Sequence, residues 1–221
     1  MNFSEDWEQR YAGNSHLAVW PWSDLVSLVC RHCPDLRGAR VLELGCGAGA
    51  NIPFFQSQGA QYYGIDGSPT IIRRLKERFP ELVQRIVLAD FACELPFDAG
   101  FELIVDRAAV THNTSAAIAA TLDSCWRALR NGGFFIGVDW FSTHCTDYER
   151  GEPDADPYTR RGYQHGPFAG TGRVHFADLG HIRALFERFE LLLLEEKQVR
   201  AVLPENHGQL AVWNLVARKR T

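Results

Sequence analysis

A glycine-rich stretch with a carboxylate beside it is the part of this sequence best suited to bind a ligand. Residues 41–55 read VLELGCGAGANIPFF, and the segment from Gly45 to Ala50 satisfies the loose pattern G-x-G-x-x-G/A. Glycines at this spacing allow a tight turn and a close approach of the backbone to a ligand. Because Glu43 precedes the first glycine by two residues, the function of the loop depends on whether its ligand is an anion or a cation.

The charges of the neighbouring residues separate the two ligand classes that use such a loop. A dinucleotide would bring its pyrophosphate next to Glu43, where like charges repel. S-adenosylmethionine carries a positive sulfonium and a positive ammonium, which acidic residues attract. Three more carboxylates stand near the ends of the following predicted strands: Asp66, Asp90 and Asp106. Since the carboxyl ends of parallel strands meet at the ligand crevice of an open sheet, we expect an acidic crevice suited to a cation.

The elements that must position these acids alternate between apolar strands and amphipathic helices. Strands are predicted at residues 39–45, 61–66, 85–90, 101–110 and 132–140. Helices are predicted at residues 50–58, from Pro69 onward, at 115–130 and at 179–189. Ser68 should cap the second of these helices, and Asn131-Gly132-Gly133 should end the third. The strands are nearly all apolar, which predicts a parallel sheet covered on both faces. Two last apolar runs, 190–199 and 210–220, lie too close together for a crossover helix and should pair antiparallel.

Five successive motifs resemble those of the class I S-adenosylmethionine-dependent methyltransferases. They are VLELGCGAG, GIDGS, LADFACELPF, FELIVDRAAVTHN and LRNGGFFIGV, and the resemblance extends from about Arg40 to Phe189. It implies an α/β fold, a Rossmann-like three-layer αβα sandwich whose seven-stranded, mostly parallel sheet has an antiparallel last strand. It also implies S-adenosyl-L-methionine as the cofactor, with the glycine loop under its methionine moiety.

The same resemblance implies roles for residues at the strand ends. Glu43 would approach the ammonium group of the cofactor, and Asp66 the ribose hydroxyls. Asp90 and Phe91 would contact the adenine. Asp106 and Arg107 would contact the methionine end. The other predicted cofactor-binding residues lie in the loop and in the turn after the second strand: Gly45, Cys46, Gly47, Gly67 and Ser68.

The amino-terminal segment is rich in aromatic residues. In the family, amino-terminal helices often close over the cofactor, so residues 1–35 are predicted to form a helical cap. Trp7, Tyr11 and Trp22 would lie against the sulfonium or the adenine, because aromatic faces attract cations. Packing of the same rings inside an entry helix is the alternative.

Two residues are candidates for catalysis. His112 follows the fourth strand in VTHN and can take a proton from an acceptor hydroxyl near neutral pH. Asp139 ends the fifth strand in VDW and is predicted to point toward the crevice. The alternative is that both residues cap their loops.

Residues 141–175 lack a clear period, which predicts a long loop that acts as a lid over the substrate. Four residues of this lid could contact the acceptor: His144, Tyr163, His165 and His175. A carboxylate or phosphate on the acceptor could be held by arginines, with Arg160, Arg161 and Arg173 as the candidates.

Composition narrows the class of partner. The 221 residues predict a single domain over 1–221, and a net charge of −4 argues against a nucleic-acid surface. No apolar run approaches the length of a membrane helix, so we expect a cytoplasmic protein, monomeric or homodimeric. Cys30 and Cys33 have ligand-like spacing, but no second pair follows, so no metal is expected.

These observations together predict an S-adenosylmethionine-dependent methyltransferase that acts on an O- or N-nucleophile of a small-molecule acceptor. One alternative is a non-catalytic protein that binds the same cofactor. A less favoured one is a nicotinamide-dependent oxidoreductase, which would be expected to carry a second, substrate-binding domain and no carboxylate at position 43.

Overall fold

A central sheet brings the residues of the predicted site to one edge. The computed structural model describes residues 5–15, 17–203 and 208–220, so residues 1–4 and His16 of the predicted cap lie outside the described residues. In chain order the helices are α1 (Glu5–Ala12), α2 (Ser23–His32), α3 (Ile52–Ser57), α4 (Pro69–Arg78), α5 (Ser115–Ala128), α6 (Thr146–Arg150) and α7 (Leu179–Leu185). The strands are β1 (Arg40–Leu44), β2 (Gln61–Asp66), β3 (Ile86–Leu88), β4 (Phe101–Arg107), β5 (Leu129–Phe141), β6 (Glu152–Pro153), β7 (Thr159–Arg161), β8 (Val174–His175), β9 (Phe189–Arg200) and β10 (Gln209–Lys219).

The main sheet has seven strands in the order β3-β2-β1-β4-β5-β10-β9. The first five pair in parallel, whereas β10 is antiparallel to both of its neighbours. From β1, the strands β2 and β3 extend the sheet on one side, whereas β4 and β5 extend it on the other. Open sheets bind ligands at such a switch point, here between β1 and β4. There Leu44 pairs with Ile65 on one side and Asp106 on the other. The predicted sheet, including its antiparallel last strand, is confirmed.

Helices cover both faces of the sheet because alternate strand residues point to opposite sides. Val41 and Val105 pack in one buried cluster with side chains of α2 and α4. Leu42 and Ile104 belong to a second cluster with side chains of α5 and α7. The two clusters fill the two interfaces between the three layers of an αβα sandwich, as predicted.

Local capping explains where α4 begins. The Ser68 hydroxyl accepts a hydrogen bond from the backbone N–H of Ile71, and Pro69 occupies the first helical position. The backbone N–H of the first helical position has no partner within the helix. A proline at this position, which lacks the N–H, therefore costs the helix no hydrogen bond. The predicted start of this helix is confirmed.

The predicted end of α5 is wrong by two residues. The helix ends at Ala128, whose carbonyl accepts from the Gly100 N–H, and Leu129 is already extended. The two glycines of the expected stop lie inside β5, where the pairing with β4 changes register. A Cβ at Gly133 would lie 2.9 Å from the carbonyl oxygen of Phe101. These glycines therefore serve a bulge and a close strand approach instead of a helix cap.

Residues 141–175, the lid segment, contain more regular structure than the predicted loop. Helix α6 is followed by a small antiparallel sheet in the order β6-β7-β8. Its strands are two or three residues long, which is too short for an alternating pattern to be visible in the sequence. Among the described residues, none of the helices is long and apolar enough to cross a membrane.

Candidate active site

A cavity of about 420 Å³ lies at the carboxyl ends of the central strands. Its floor is formed by the glycine loop after β1 and by the turns after β2, β3 and β4. The amino-terminal segment, the lid segment and the start of β10 supply the remaining walls. Segments distant in the sequence therefore meet around one space.

The glycine loop forms the floor because its glycines are left-handed and closely packed. Gly45 and Gly47 have φ angles of +60° and +49°. A Cβ at Gly45 would lie 2.2 Å from the Cβ of Ala109, so only glycine lets the loop after β4 come this near. Both glycines line the cavity, together with Cys46.

Glu43 is a buried acid that lines the cavity, with 4% of its surface exposed. One carboxylate oxygen accepts from the amide of Asn51 at 2.7 Å and the other from the Tyr62 hydroxyl at 2.6 Å. Burial raises the pKa of Glu43 to about 7, although both hydrogen bonds act in the opposite direction. A cation placed in the cavity would favour the ionised form.

Asp66 joins the end of β2 to the glycine loop. Its carboxylate accepts from the backbone N–H of Gly47 and from that of Ser68, both at 2.9 Å. Burial raises the pKa of Asp66 to about 6. Asp66 and Gly67 line the cavity, so this acid both holds the loop and faces the ligand space.

The turn after β3 supplies a polar and an aromatic residue. Asp90 accepts a hydrogen bond from the backbone N–H of Ala92 at 3.0 Å. Asp90 and its neighbour Phe91 both line the cavity. The predicted adenine-binding pair is thus part of the same space as the glycine loop.

Three aromatic residues of the amino-terminal segment form one wall of the cavity. Trp7, Tyr11 and Trp22 all line it. A Cβ on Gly47 would lie 3.2 Å from the Tyr11 hydroxyl oxygen, which shows how closely α1 covers the loop. The carboxylate of Glu8 accepts from the hydroxyls of Ser68 and Thr70 and so ties α1 to α4.

Arg107 lines the cavity at the end of β4 and is held on two sides. Its Nε and Nη2 donate to one carboxylate oxygen of Asp139, each at 2.9 Å. Its guanidinium also lies 3.6 Å from the centre of the Trp22 ring. The positive charge of Arg107 is thereby paired with an acid and stacked on an aromatic face.

His112 lies in the cavity wall between two aromatic rings. Its ring centre is 4.8 Å from that of Trp7 and 6.1 Å from that of Phe141. Its Nδ1 lies 2.9 Å from the carbonyl oxygen of Arg173. Because a carbonyl can only accept, the neutral ring carries its proton on Nδ1, which makes Nε2 a proton acceptor.

Three of the predicted site residues do not line the cavity: Ser68, Asp106 and Asp139. Ser68 is fully buried and caps α4. Asp106 accepts from the Trp140 indole at 2.6 Å and from the backbone of Ala109 and Val110, and burial raises its pKa to about 7. Its carboxylate therefore organises the turn after β4. Asp139, predicted to be catalytic, lies outside the cavity lining, and its carboxylate accepts from Arg107.

Backbone strain marks the same edge of the sheet. Ala108 and Asp139 have φ angles of +54° and +58° although neither is glycine. Hydrogen bonds between Ala108 N–H and the Val138 carbonyl and between Asp139 N–H and the Asn214 side chain hold them there. Such conformations cost about 1 to 3 kcal/mol each and cluster at functional sites.

Sequence reasoning missed several cavity residues. Asn51 bridges Glu43 and the backbone N–H of Trp22, and its place directly after the glycine loop was a usable signal. Phe168 and Leu210 carried no signal, because only folding brings them to the cavity. Among the predicted lid contacts, His144, Tyr163, His165 and His175 do not line the cavity, nor do Arg160, Arg161 and Arg173.

The cysteines are all free, including Cys30 and Cys33. Within the described ranges, no group of three or more His, Cys, Asp or Glu side chains is arranged to hold a metal ion.

Residues 41–133 match the family model described as a methyltransferase domain. An uncharacterized methyltransferase of Synechocystis sp. is 33% identical over 103 residues, which cover 46% of this chain and 47% of that protein. The match thus spans about half the length of this curated relative. The five sequence motifs that resemble those of class I methyltransferases lie largely within residues 41–133.

Solved structures share the fold over most of the chain. A S-adenosylmethionine-dependent methyltransferase from Methanosarcina mazei has a TM-score of 0.70 at 18% identity and covers 91% of this chain and 99% of its own. A Burkholderia thailandensis 1,6-didemethyltoxoflavin-N1-methyltransferase, with bound 1,6-didemethyltoxoflavin and S-adenosylhomocysteine, has a TM-score of 0.66 at 19% identity. That match covers 98% of this chain and 85% of the other. At such identities the likeness shows a shared fold.

Proposed function

We propose that this chain is a class I methyltransferase that transfers a methyl group from S-adenosyl-L-methionine to a small-molecule acceptor. Its motifs, its fold and the family match over residues 41–133 support this proposal. The observation that carries the proposal is the charge of the cavity floor. Glu43 and Asp66 line it beside the glycine loop, and the positive charge of Arg107 is paired with Asp139. This arrangement favours a cation and opposes a pyrophosphate.

The residues present fit S-adenosylmethionine. Glu43 would hold its ammonium group and Asp66 its ribose, Asp90 and Phe91 would meet its adenine, and Trp7 would lie near its sulfonium. When bound, the cofactor supplies an electrophilic methyl group and is left as a neutral thioether after transfer. The chain itself excludes water with its aromatic walls and aligns the two reactants.

His112 is our candidate for the base. It lines the cavity, and its Nδ1 contact with the Arg173 carbonyl leaves Nε2 as the atom that can take a proton from the acceptor. This role suits an acceptor with an O- or N-nucleophile. A small-molecule acceptor is supported by the limited cavity volume, about 420 Å³, and by the net charge of −4.

The wider proposal is a single methyltransferase domain over 1–221, with a cap at 1–35 and a lid at 141–175. A cytoplasmic location, a monomeric or homodimeric state and the absence of nucleic-acid, membrane and metal partners belong to the same proposal.

Calorimetry with S-adenosylmethionine, S-adenosylhomocysteine and NAD tests the cofactor. We expect the first two to bind and NAD not to bind; tight binding of NAD alone would overturn the proposal. Asp66→Asn should weaken binding of S-adenosylmethionine about tenfold or more, because it removes the charge that faces the ligand. Asp98→Asn, at an exposed position, is the matched control and should bind as the unaltered protein does. Transfer of labelled methyl from the donor to a metabolite pool separates an enzyme from a non-catalytic binder.

A further inference from the structure

One side of the cavity is apolar and aromatic, unlike its acidic floor. We call this side the apolar wall; it consists of Trp7, His112, Phe141, Pro167, Phe168 and Leu210. Apart from the His112 imidazole, none of these side chains can ionise. They come from α1, the turn after β4, the lid segment and β10, so folding has assembled the wall from four parts of the chain. The wall is available to the second ligand that the proposed function requires.

Among the residues that the structure describes, the cavity offers an anionic acceptor no unpaired cation. Within the described part of the chain, the charged residues that line the cavity are at its floor: Glu43, Asp66, Asp90 and Arg107. Three of them are acids, and Arg107 is occupied by Asp139. Two arginines of the lid segment are engaged elsewhere, since Arg160 donates to the Pro157 carbonyl at 2.8 Å and Arg173 to Asp154 at 2.6 Å. Arg161 does not line the cavity. A carboxylate or phosphate would lose its water without gaining a charge partner.

Beside the apolar wall, the described residues offer a polyhydroxylated acceptor few hydrogen-bonding groups. The Thr171 hydroxyl donates to the Phe168 carbonyl at 2.8 Å, and the Asn113 amide donates to the Val110 carbonyl at 3.2 Å. Both side chains are buried, with 2% and 8% of their surface exposed. Polar groups of a sugar placed against this wall would remain largely unsatisfied, which is costly.

The rings of the wall pack on one another edge to face. Phe141 and Phe168 meet edge to face, with centres 4.7 Å apart and planes at 79°. Trp7 and His112 meet in the same way at 4.8 Å and 74°. Aromatic rings prefer such edge-to-face neighbours, and each contact adds to the burial of apolar surface.

We infer that the acceptor is an uncharged, flat aromatic hydroxy compound that lies against the apolar wall with its hydroxyl toward His112. This inference rests on the proposed function and names the substrate class of the same site. The hydroxyl oxygen would form the new bond to the methyl carbon as the carbon–sulfur bond breaks, and its proton would pass to Nε2 of His112. The contact with His112 would then satisfy the reacting hydroxyl, the one polar group of the acceptor.

Three probes of defined charge test the inference by calorimetry in the presence of S-adenosylhomocysteine. We expect 2-naphthol to bind at least tenfold more tightly than 6-hydroxy-2-naphthoate, which adds only a carboxylate, and methyl glucoside not to bind. Equal or tighter binding of the carboxylate, or preference for the glucoside, would overturn the inference. If S-adenosylhomocysteine itself fails to bind, the proposed function fails instead, so the two failures are distinguishable.

A variant at the cavity mouth gives an independent test. Leu210 lines the cavity and is 43% exposed, so a longer side chain can be accommodated there. Leu210→Arg should shift the preference toward 6-hydroxy-2-naphthoate about tenfold, whereas Leu210→Gln, similar in polarity but uncharged, should not. Affinity for S-adenosylhomocysteine should stay unchanged in both variants. The same preference in both variants would show that the wall does not contact the acceptor and would overturn the inference.

Discussion

Replacing Glu43 by glutamine should stabilise the ligand-free protein at alkaline pH and weaken its binding of S-adenosylmethionine. Glu43 is buried, and its pKa rises from the usual 4.5 to about 7 because burial disfavours the charged form. An acid with a higher pKa in the folded than in the unfolded state takes up protons on folding. Its contribution to stability is therefore complete below pH 4.5 and is lost as the pH rises to about 7.

The size of this effect follows from the two pKa values. Each pH unit between them corresponds to about 1.4 kcal/mol, so ionised Glu43 lowers the free energy of unfolding by about 3 kcal/mol at pH 8. Glutamine has the same shape and no charge. It can accept from Asn51, while its amide can donate to the Tyr62 hydroxyl in place of the bond that Glu43 now receives. We expect the variant to regain about 1 to 3 kcal/mol at pH 8 and little at pH 5.

Urea unfolding at pH 5 and pH 8 measures this difference. Glu77→Gln on the exposed side of α4 is the control and should follow the unaltered protein at both pH values. Calorimetry should show that Glu43→Gln binds S-adenosylmethionine about 10 to 100 times more weakly, the range expected for loss of a hydrogen bond to a charged group. A stability difference independent of pH would refute the buried, high-pKa description of Glu43. Unchanged affinity would refute its role toward the cofactor.

Three further changes test other parts of the site. Gly45→Ala should lower the free energy of unfolding by about 2 to 4 kcal/mol in urea, since the new Cβ meets Ala109 and the φ is left-handed; a loss under about 1 kcal/mol would contradict this packing. Ser68→Ala should cost about 1 kcal/mol through the lost cap, and an unchanged thermal midpoint would argue against it. His112→Gln should reduce labelled-methyl transfer about 100-fold or more without changing the Kd of S-adenosylmethionine. The exposed control His165→Gln should leave both quantities unchanged, and equal rates in the two variants would exclude His112 as the base.

The sequence was a good guide wherever the deciding interaction is local. The cap of α4 depends on residues three positions apart, and the glycine loop depends on φ angles that only glycine adopts easily. The positions of the strands along the chain followed from apolar runs, and the seven-stranded sheet with its antiparallel last strand followed from a family resemblance carried by contiguous motifs. Prediction was weaker in the lid segment, where the strands are too short to show a period.

The strands, the glycine loop and the acids near the strand ends could be predicted from the sequence alone, because each depends on residues that are neighbours in the chain. The direction in which those acids face became known only from the folded structure. Glu43 and Asp66 line the cavity, whereas Asp106 is turned to the Trp140 indole and Asp139 to Arg107. The apolar wall likewise exists only after folding, since its members come from Trp7 to Leu210. Side-chain direction and long-range contact depend on packing among distant segments, and no local pattern encodes them.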